Sequence, residues 1–166
     1  MTKIVHGFTF SDKWNMRFMD MAKLIATWSK DNSTKVGCIV VDSDKRILTT
    51  GYNGFPRGVD DTIAARHERP AKYKFTEHAE RNAMYNALTY GVSLKGCIMY
   101  VTFPPCVDCA RGIIQSGIRE VIYLDMPADK TQKIPGWRDD LQNSFDMFNE
   151  AGVIYKSIGV NNIKSR

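Results

Sequence analysis

The sequence lacks the features of a membrane protein, a fibre or a disordered tail. Apolar runs such as residues 38–41 fall far below the roughly 18 residues that a membrane-spanning helix needs. The leading stretch MTKIVHGFTF has no cleavable apolar segment, so a soluble, cytoplasmic protein is expected. Gly and Pro number only 12 and 6 among 166 residues, which excludes collagen-like and low-complexity architectures. No internal repeat is visible. Cysteine is scarce too, with four residues, and a domain of this size buries about 68–70% of its unfolded surface and stands without disulfide staples. Metal binding or catalysis is therefore a better reading of the pair in Cys106-Val-Asp-Cys109 than bridging. The formal net charge of +5 favours anionic partners such as phosphates. No basic stripe is visible, since the basic residues scatter apart from mild clusters at 66–74 and 164–166. A polynucleotide partner gains little support from this pattern, and a membrane partner none.

Hydrophobic spacing orders the rest. Phe18, Met21, Leu24, Ile25 and Trp28 recur at helical spacing and predict an amphipathic helix over 14–28, with Trp14 and the methionines also read as core. Residues 35–41 and 46–52 predict a hairpin around the polar turn 42–45. The stretch 51–75 carries Gly51, Gly54, Pro56, Gly58, Pro70 and many charges, and reads as a functional loop or irregular insertion. A helix over 77–90 ends at Gly91, where a left-handed cap fits. A strand over 97–102, a helix over 106–115, a strand over 120–124, a helix over 136–151 and a strand from 153 to 156 follow. Two apolar strands joined by one helix form a βαβ unit, whose strands lie parallel. The sum is one α/β domain over residues 1–166, with a single mixed sheet of about five strands.

The chemistry concentrates in His78-Ala79-Glu80, then Pro105-Cys106, then Cys109. Catalytic zinc takes three protein ligands and keeps a fourth position open, and His78, Cys106 and Cys109 are the right donor types. Residues three apart share one helix face, and a helix N-terminus favours thiolate. Glu80 is the informative neighbour: a structural zinc would want a fourth Cys or His, whereas a carboxylate can move protons. H-x-E followed by P-C-x-x-C is the signature of zinc nucleobase deaminases, in which the Glu is general acid/base and not a ligand. A closed zinc knot would need Cys97, Cys38, His67 or His6 as its fourth donor. Cys38 and Cys97 read as inert strand residues, His67 as solvated in a charged loop, and His6 carries no argument.

At these residues the chain resembles the cytidine deaminase superfamily, and more closely the deoxycytidylate deaminase family. The resemblance spans most of the chain and includes Trp28-Ser29-Lys30-Asp31, the run 35–40, Gly51-Tyr52-Asn53-Gly54 followed by Pro56 and Gly58, and the run 78–83. It implies a cytidine-deaminase-like three-layer α/β/α fold, hydrolysis of dCMP to dUMP and ammonia, and a homohexamer. It also implies activation by dCTP and inhibition by dTTP with Mg²⁺, at a second site including Gly51, Tyr52, Asn53 and Gly54. Some members hold a second, structural zinc in the insertion; here the insertion offers only His67 and no cysteine, so one Zn²⁺ per chain is expected. The resemblance further places Asn53 near the sugar. Some relatives stack a tyrosine on the base from the loop after the fourth strand. That loop here, 125–133, has none, and Tyr123 is the nearest candidate. For the 5′-phosphate the sequence offers Lys30 first and Arg111 second. Two rivals stand beside this reading: a base deaminase acting on tRNA or single-stranded nucleic acid, whose binding would weaken steeply with salt, and a non-enzymatic zinc-binding module.

Overall fold

The computed structural model describes residues 9–126 and 136–159, so His6, the loop positions 127–133 and the basic cluster 164–166 lie outside the described residues. Strand alternation sets the layers. In β3 (Ile98–Val101) every residue is buried. Ile98 and Tyr100 point into one cluster with Ile39, Val41 and Ile122, while Met99 and Val101 join Cys38, Val40 and Val121 on the opposite face. A sheet apolar on both faces must be covered on both. Helix α1 (Asp12–Ala26) covers the first face. The second is covered by α3 (Ala79–Thr89), α4 (Val107–Gln115) and α5 (Trp137–Ala151).

The five strands run in the order β2 (Ile47–Tyr52), β1 (Gly37–Val41), β3, β4 (Glu120–Leu124), β5 (Ile154–Ile158). β1 is antiparallel to β2 and β3, and β3, β4 and β5 are mutually parallel, so the βαβ unit and the mixed sheet are as expected. Among the described residues no helix is long and apolar enough to cross a membrane.

Two expectations need correction. Of the five residues expected to line the buried face of α1, only Phe18 and Ile25 reach the core, beside Asn15, Met19, Ala22 and Ala26. Met21, Leu24 and Trp28 are 39%, 52% and 56% exposed. Close packing turned the helix: a Cβ on Gly37 would lie 2.0 Å from the Ala22 carbonyl, so β1 accepts only the small-residue face of α1. The 51–75 insertion is also less irregular than expected, since it holds a 3₁₀ turn (Ala64–Arg66) and a short helix α2 (Lys72–Phe75).

Candidate active site

Two helix N-termini converge beyond the end of β3. Gly51 lets α3 settle on β2, because a Cβ there would lie 2.3 Å from the Ala79 carbonyl and 2.4 Å from the Ala83 nitrogen. Two residues past β2 the chain is pinned again: Gly54 N donates to the Glu77 carbonyl at 3.1 Å and Glu77 N to the Gly54 carbonyl at 2.8 Å. These bonds fix the entry of α3, leaving His78 at its N-cap and Glu80 buried in its first turn. Cys106 occupies the N-cap of α4 and Cys109 its first turn, so both sulfurs sit where the helix end favours negative charge. Arg81 ties the two helix starts together, with an ion pair of 2.5 Å to Glu77 and another of 3.6 Å to Asp108.

His78 Nδ1 lies 3.4 Å from Cys106 Sγ and 3.5 Å from Cys109 Sγ, and the three ligand atoms fall within 4.8 Å of one another. Tetrahedral zinc, with bonds of about 2.3 Å to sulfur and 2.0–2.1 Å to nitrogen, sets its N and S ligands about 3.6 Å apart. The donor set and its spacing therefore fit zinc. Among the described residues no fourth His, Cys, Asp or Glu joins the cluster. Cys38 and Cys97 are buried free thiols in the sheet core. His67 is only partly exposed and is partnered, where the sequence reading had it solvated in a charged loop: its ring stacks on Phe55 at 4.6 Å and its Nε2 pairs with the Asp61 carbonyl at 2.8 Å.

The site titrates as a unit. A hydrogen bond from Cys109, reinforced by His78, outweighs burial and draws the Cys106 thiol down to about 4. The bond to Cys106 lifts His78 to about 9. Cys109 is pushed up by its bond to Cys106 and by burial. Burial raises Glu80 above the usual carboxylate range, against the opposing pull of His78. A carboxyl moved toward neutrality suits a group that must both take and give protons. The negative charge of the Cys106 thiolate is offset by a protonated His78, and the Glu80 carboxyl stands beside the triad without joining it.

Glu80, His78 and Cys106 open onto a cavity of about 360 Å³. Asn53 lies on its wall, 7% exposed, with its Oδ1 accepting from Val36 N and its Nδ2 donating to the Thr34 carbonyl, both at 2.8 Å. Lys30 is not brought to this cavity; it pairs with Asp61 at 2.7 Å in a neighbouring groove of about 320 Å³. Gly51, Tyr52, Asn53 and Gly54 line that same groove, and Trp28 meets Tyr52 edge-on at 6.2 Å there. Arg111 is exposed and pairs with Asp108. Tyr123 stacks on Phe145 of α5 at 5.7 Å. Neither lines either cavity.

Sequence reasoning missed several cavity residues. Lys72 is 8% exposed and donates to both Asp31 oxygens at 3.0 and 2.7 Å and to Ser33 Oγ at 2.6 Å. Burial alone would raise the Asp31 carboxyl, but the bonds from Lys72 and from the Thr34 and Ser33 backbone hold it down at about 2. No local signal marks a pair so far apart along the chain. Phe103 and Trp137 form another wall, edge to face at 5.3 Å, with Trp137 packed in one cluster with Cys106 and Cys109. The only hint was an isolated Trp at the start of a predicted helix.

The family model for the cytidine and deoxycytidylate deaminase zinc-binding region matches residues 12–125, which include the triad and Glu80. Among curated proteins the chain is 43% identical over 141 residues to the "uncharacterized deaminase in luxG 3′region" of Aliivibrio fischeri, covering 85% of this chain and 90% of that one. It is 38% identical over 149 residues to the human deoxycytidylate deaminase, covering 87% and 79%. Among solved structures, the dCMP deaminase of cyanophage S-TIM5 in complex with dCMP and dUMP superposes with a TM-score of 0.69 at 28% identity, over 90% of this chain and 99% of that one. Motif, metal geometry and fold thus agree, and the chain belongs to the cytidine and deoxycytidylate deaminase family.

Proposed function

We propose that the protein hydrolyses dCMP to dUMP and ammonia. The observation that carries this reading is the buried Glu80 carboxyl beside an imidazole and two thiols at the end of a nucleotide-sized cavity. Support comes from the human relative named for this activity and from the cyanophage enzyme seen with dCMP and dUMP. His78, Cys106 and Cys109 would hold one zinc, which when bound lowers the pKa of water from about 15.7 to about 7 and so supplies a nucleophile at neutral pH. Glu80 accepts the proton of the attacking water and delivers it to N3 of cytosine, which makes C4 electrophilic. It then takes the proton of the hydroxyl now on C4 and passes it to the departing amine as the C4–N bond breaks. The water oxygen ends on C4, and the amine leaves as ammonia. Phe103 and Trp137 exclude bulk water from that end of the cavity.

The groove with Gly51, Tyr52, Asn53 and Gly54 would take dCTP or dTTP with Mg²⁺ as regulators, and Lys30 and Arg57 supply cations there. Met21 and Leu24 on α1 and Trp28 just after it, with Tyr85 and Leu88 on α3, expose apolar surface of the kind a homohexamer would cover. Free thiols at all four cysteines suit a reducing compartment such as the cytoplasm.

The test is ammonia release from dCMP, CMP, dCTP, deoxycytidine and a tRNA anticodon stem, with and without chelator and at two salt concentrations. Chelator-sensitive turnover of dCMP with a shallow salt dependence is expected. Turnover of the tRNA stem alone, falling steeply with salt, would replace this reading with the polynucleotide one. Release from none of them would leave a zinc-binding module. Initial rates on dCMP that ignore dCTP and dTTP with Mg²⁺ would end the regulatory part.

A further inference from the structure

A phosphomonoester dianion entering the catalytic cavity meets a wall that is mostly acidic. Asp31, Glu80, Asp108 and Asp140 line it, against two permanently charged cations, Arg69 and Lys72. Lys72 is committed, because its three N–H donors reach Asp31 Oδ1, Asp31 Oδ2 and Ser33 Oγ and its charge is balanced by Asp31. Asp108 is balanced by Arg81 and Arg111. Lys30 and Arg57 belong to the other groove, bonded to Asp61 and Asn86. Arg69 remains. It makes no ion pair with any described residue, and its guanidinium lies over the Tyr73 ring at 6.0 Å.

Its position is built, although the side chain is exposed. The Lys72–Asp31 pair pins α2 against the loop after α1, and the bonds from Lys72 N to the Glu68 carbonyl at 2.8 Å and from Tyr73 N to the Pro70 carbonyl at 3.2 Å fold the preceding residues onto the helix start. Arg69 is thereby held on the cavity wall with its guanidinium donors unpaired among the described residues. A planar guanidinium matches two phosphate oxygens at once, which an ammonium does not. We propose that Arg69 grips the 5′-phosphate of the substrate and makes the site selective for the monophosphate over the nucleoside. This rests on the dCMP reading above.

The test compares kcat/KM for dCMP and deoxycytidine in the wild-type protein, Arg69→Gln and Arg69→Lys, together with inhibition constants for dUMP and deoxyuridine. The ratio of dCMP to deoxycytidine kcat/KM should fall about 10- to 100-fold in Arg69→Gln, as loss of a charge-assisted contact commands, with partial recovery in Arg69→Lys. The dUMP constant should rise by a similar factor relative to that of deoxyuridine, which gives a readout even where deoxycytidine turnover is slow. A merely structural role would move both members of each pair together, and unchanged ratios in a variant that still turns over dCMP overturn the assignment of Arg69 alone. A wild-type protein that ignores dCMP overturns the substrate reading, and this proposal with it.

Discussion

The catalytic cavity and the neighbouring groove are almost equal in volume, about 360 and 320 Å³, and both are bounded by Asp31, Asn53, Lys72 and Thr76. Their chemistry is opposite. In the cavity a carboxyl is buried, a thiol is drawn down to about 4 by the hydrogen bond from Cys109 and by His78, and an imidazole is lifted to about 9 by its bond to Cys106. The groove has instead an exposed ion pair between Lys30 and Asp61, the aromatic rings of Trp28 and Tyr52, and the amide side chains of Asn82 and Asn86. Groups forced to share protons out of water are poised for catalysis, whereas exposed, separately satisfied charges are suited to holding a ligand. Size does not separate the two regions; desolvated coupling does.

The sharpest way to break this comparison is at the triad. Cys109→Ala should reduce bound zinc from one per chain toward none by elemental analysis and take activity to background. Glu80→Gln should keep the zinc while kcat falls at least about 10²- to 10⁴-fold, the range of general acid–base catalysis. A Glu80→Gln protein that turns over normally would remove the distinction between the two cavities. Because Cys109 is held protonated above the usual thiol range, the metal competes with a proton there, and zinc affinity should weaken as pH falls.

The triad was legible because each half is local. Cys106 and Cys109 share one helix face, His78 and Glu80 open another helix, and the loop or strand before each helix shows in the sequence. The parallel run of β3 and β4 was legible from the βαβ rule. The rotation of α1 was not, because it depends on Gly37 meeting Ala22 and Ala26 from a different element, which no periodicity within the helix records. The cavity wall was hidden for the same reason: Lys72 matters through Asp31, far away in sequence, and looked like one more charge in a basic cluster. Lys30 and Arg111 had the right charge for a phosphate, yet their chain positions carry them to other surfaces.

Glycines at the border sharpen the comparison at a smaller scale. Gly51 and Gly54 both face the groove, but only Gly51 underlies α3. Gly51→Ala drives a methyl into the Ala79 carbonyl, so it should cost about 1–3 kcal/mol in unfolding experiments and displace His78 and Glu80, lowering kcat. Gly54→Ala would meet nothing nearer than the Tyr52 ring at 3.6 Å, so the fold and zinc content should survive, and any effect should appear in the response to dCTP or dTTP. Equal loss of stability in both variants would contradict the division.

The smallest expected effect lies on the shared wall. Asp31 is held at about 2, below its ordinary 3.8, so it contributes stability that is fully present above about pH 4 and lost as pH falls toward 2. Asp31→Asn should remove that dependence, and its thermal midpoint should change less than that of the wild type between pH 4 and 2. At neutral pH the substitution leaves the Lys72 ammonium, 8% exposed, with one charged partner fewer, at a cost of about 1–2 kcal/mol. Asp31 borders both cavities, so this variant should weaken dCMP binding and the effector response together. A change confined to one of them would show that the wall is two independent surfaces and not one.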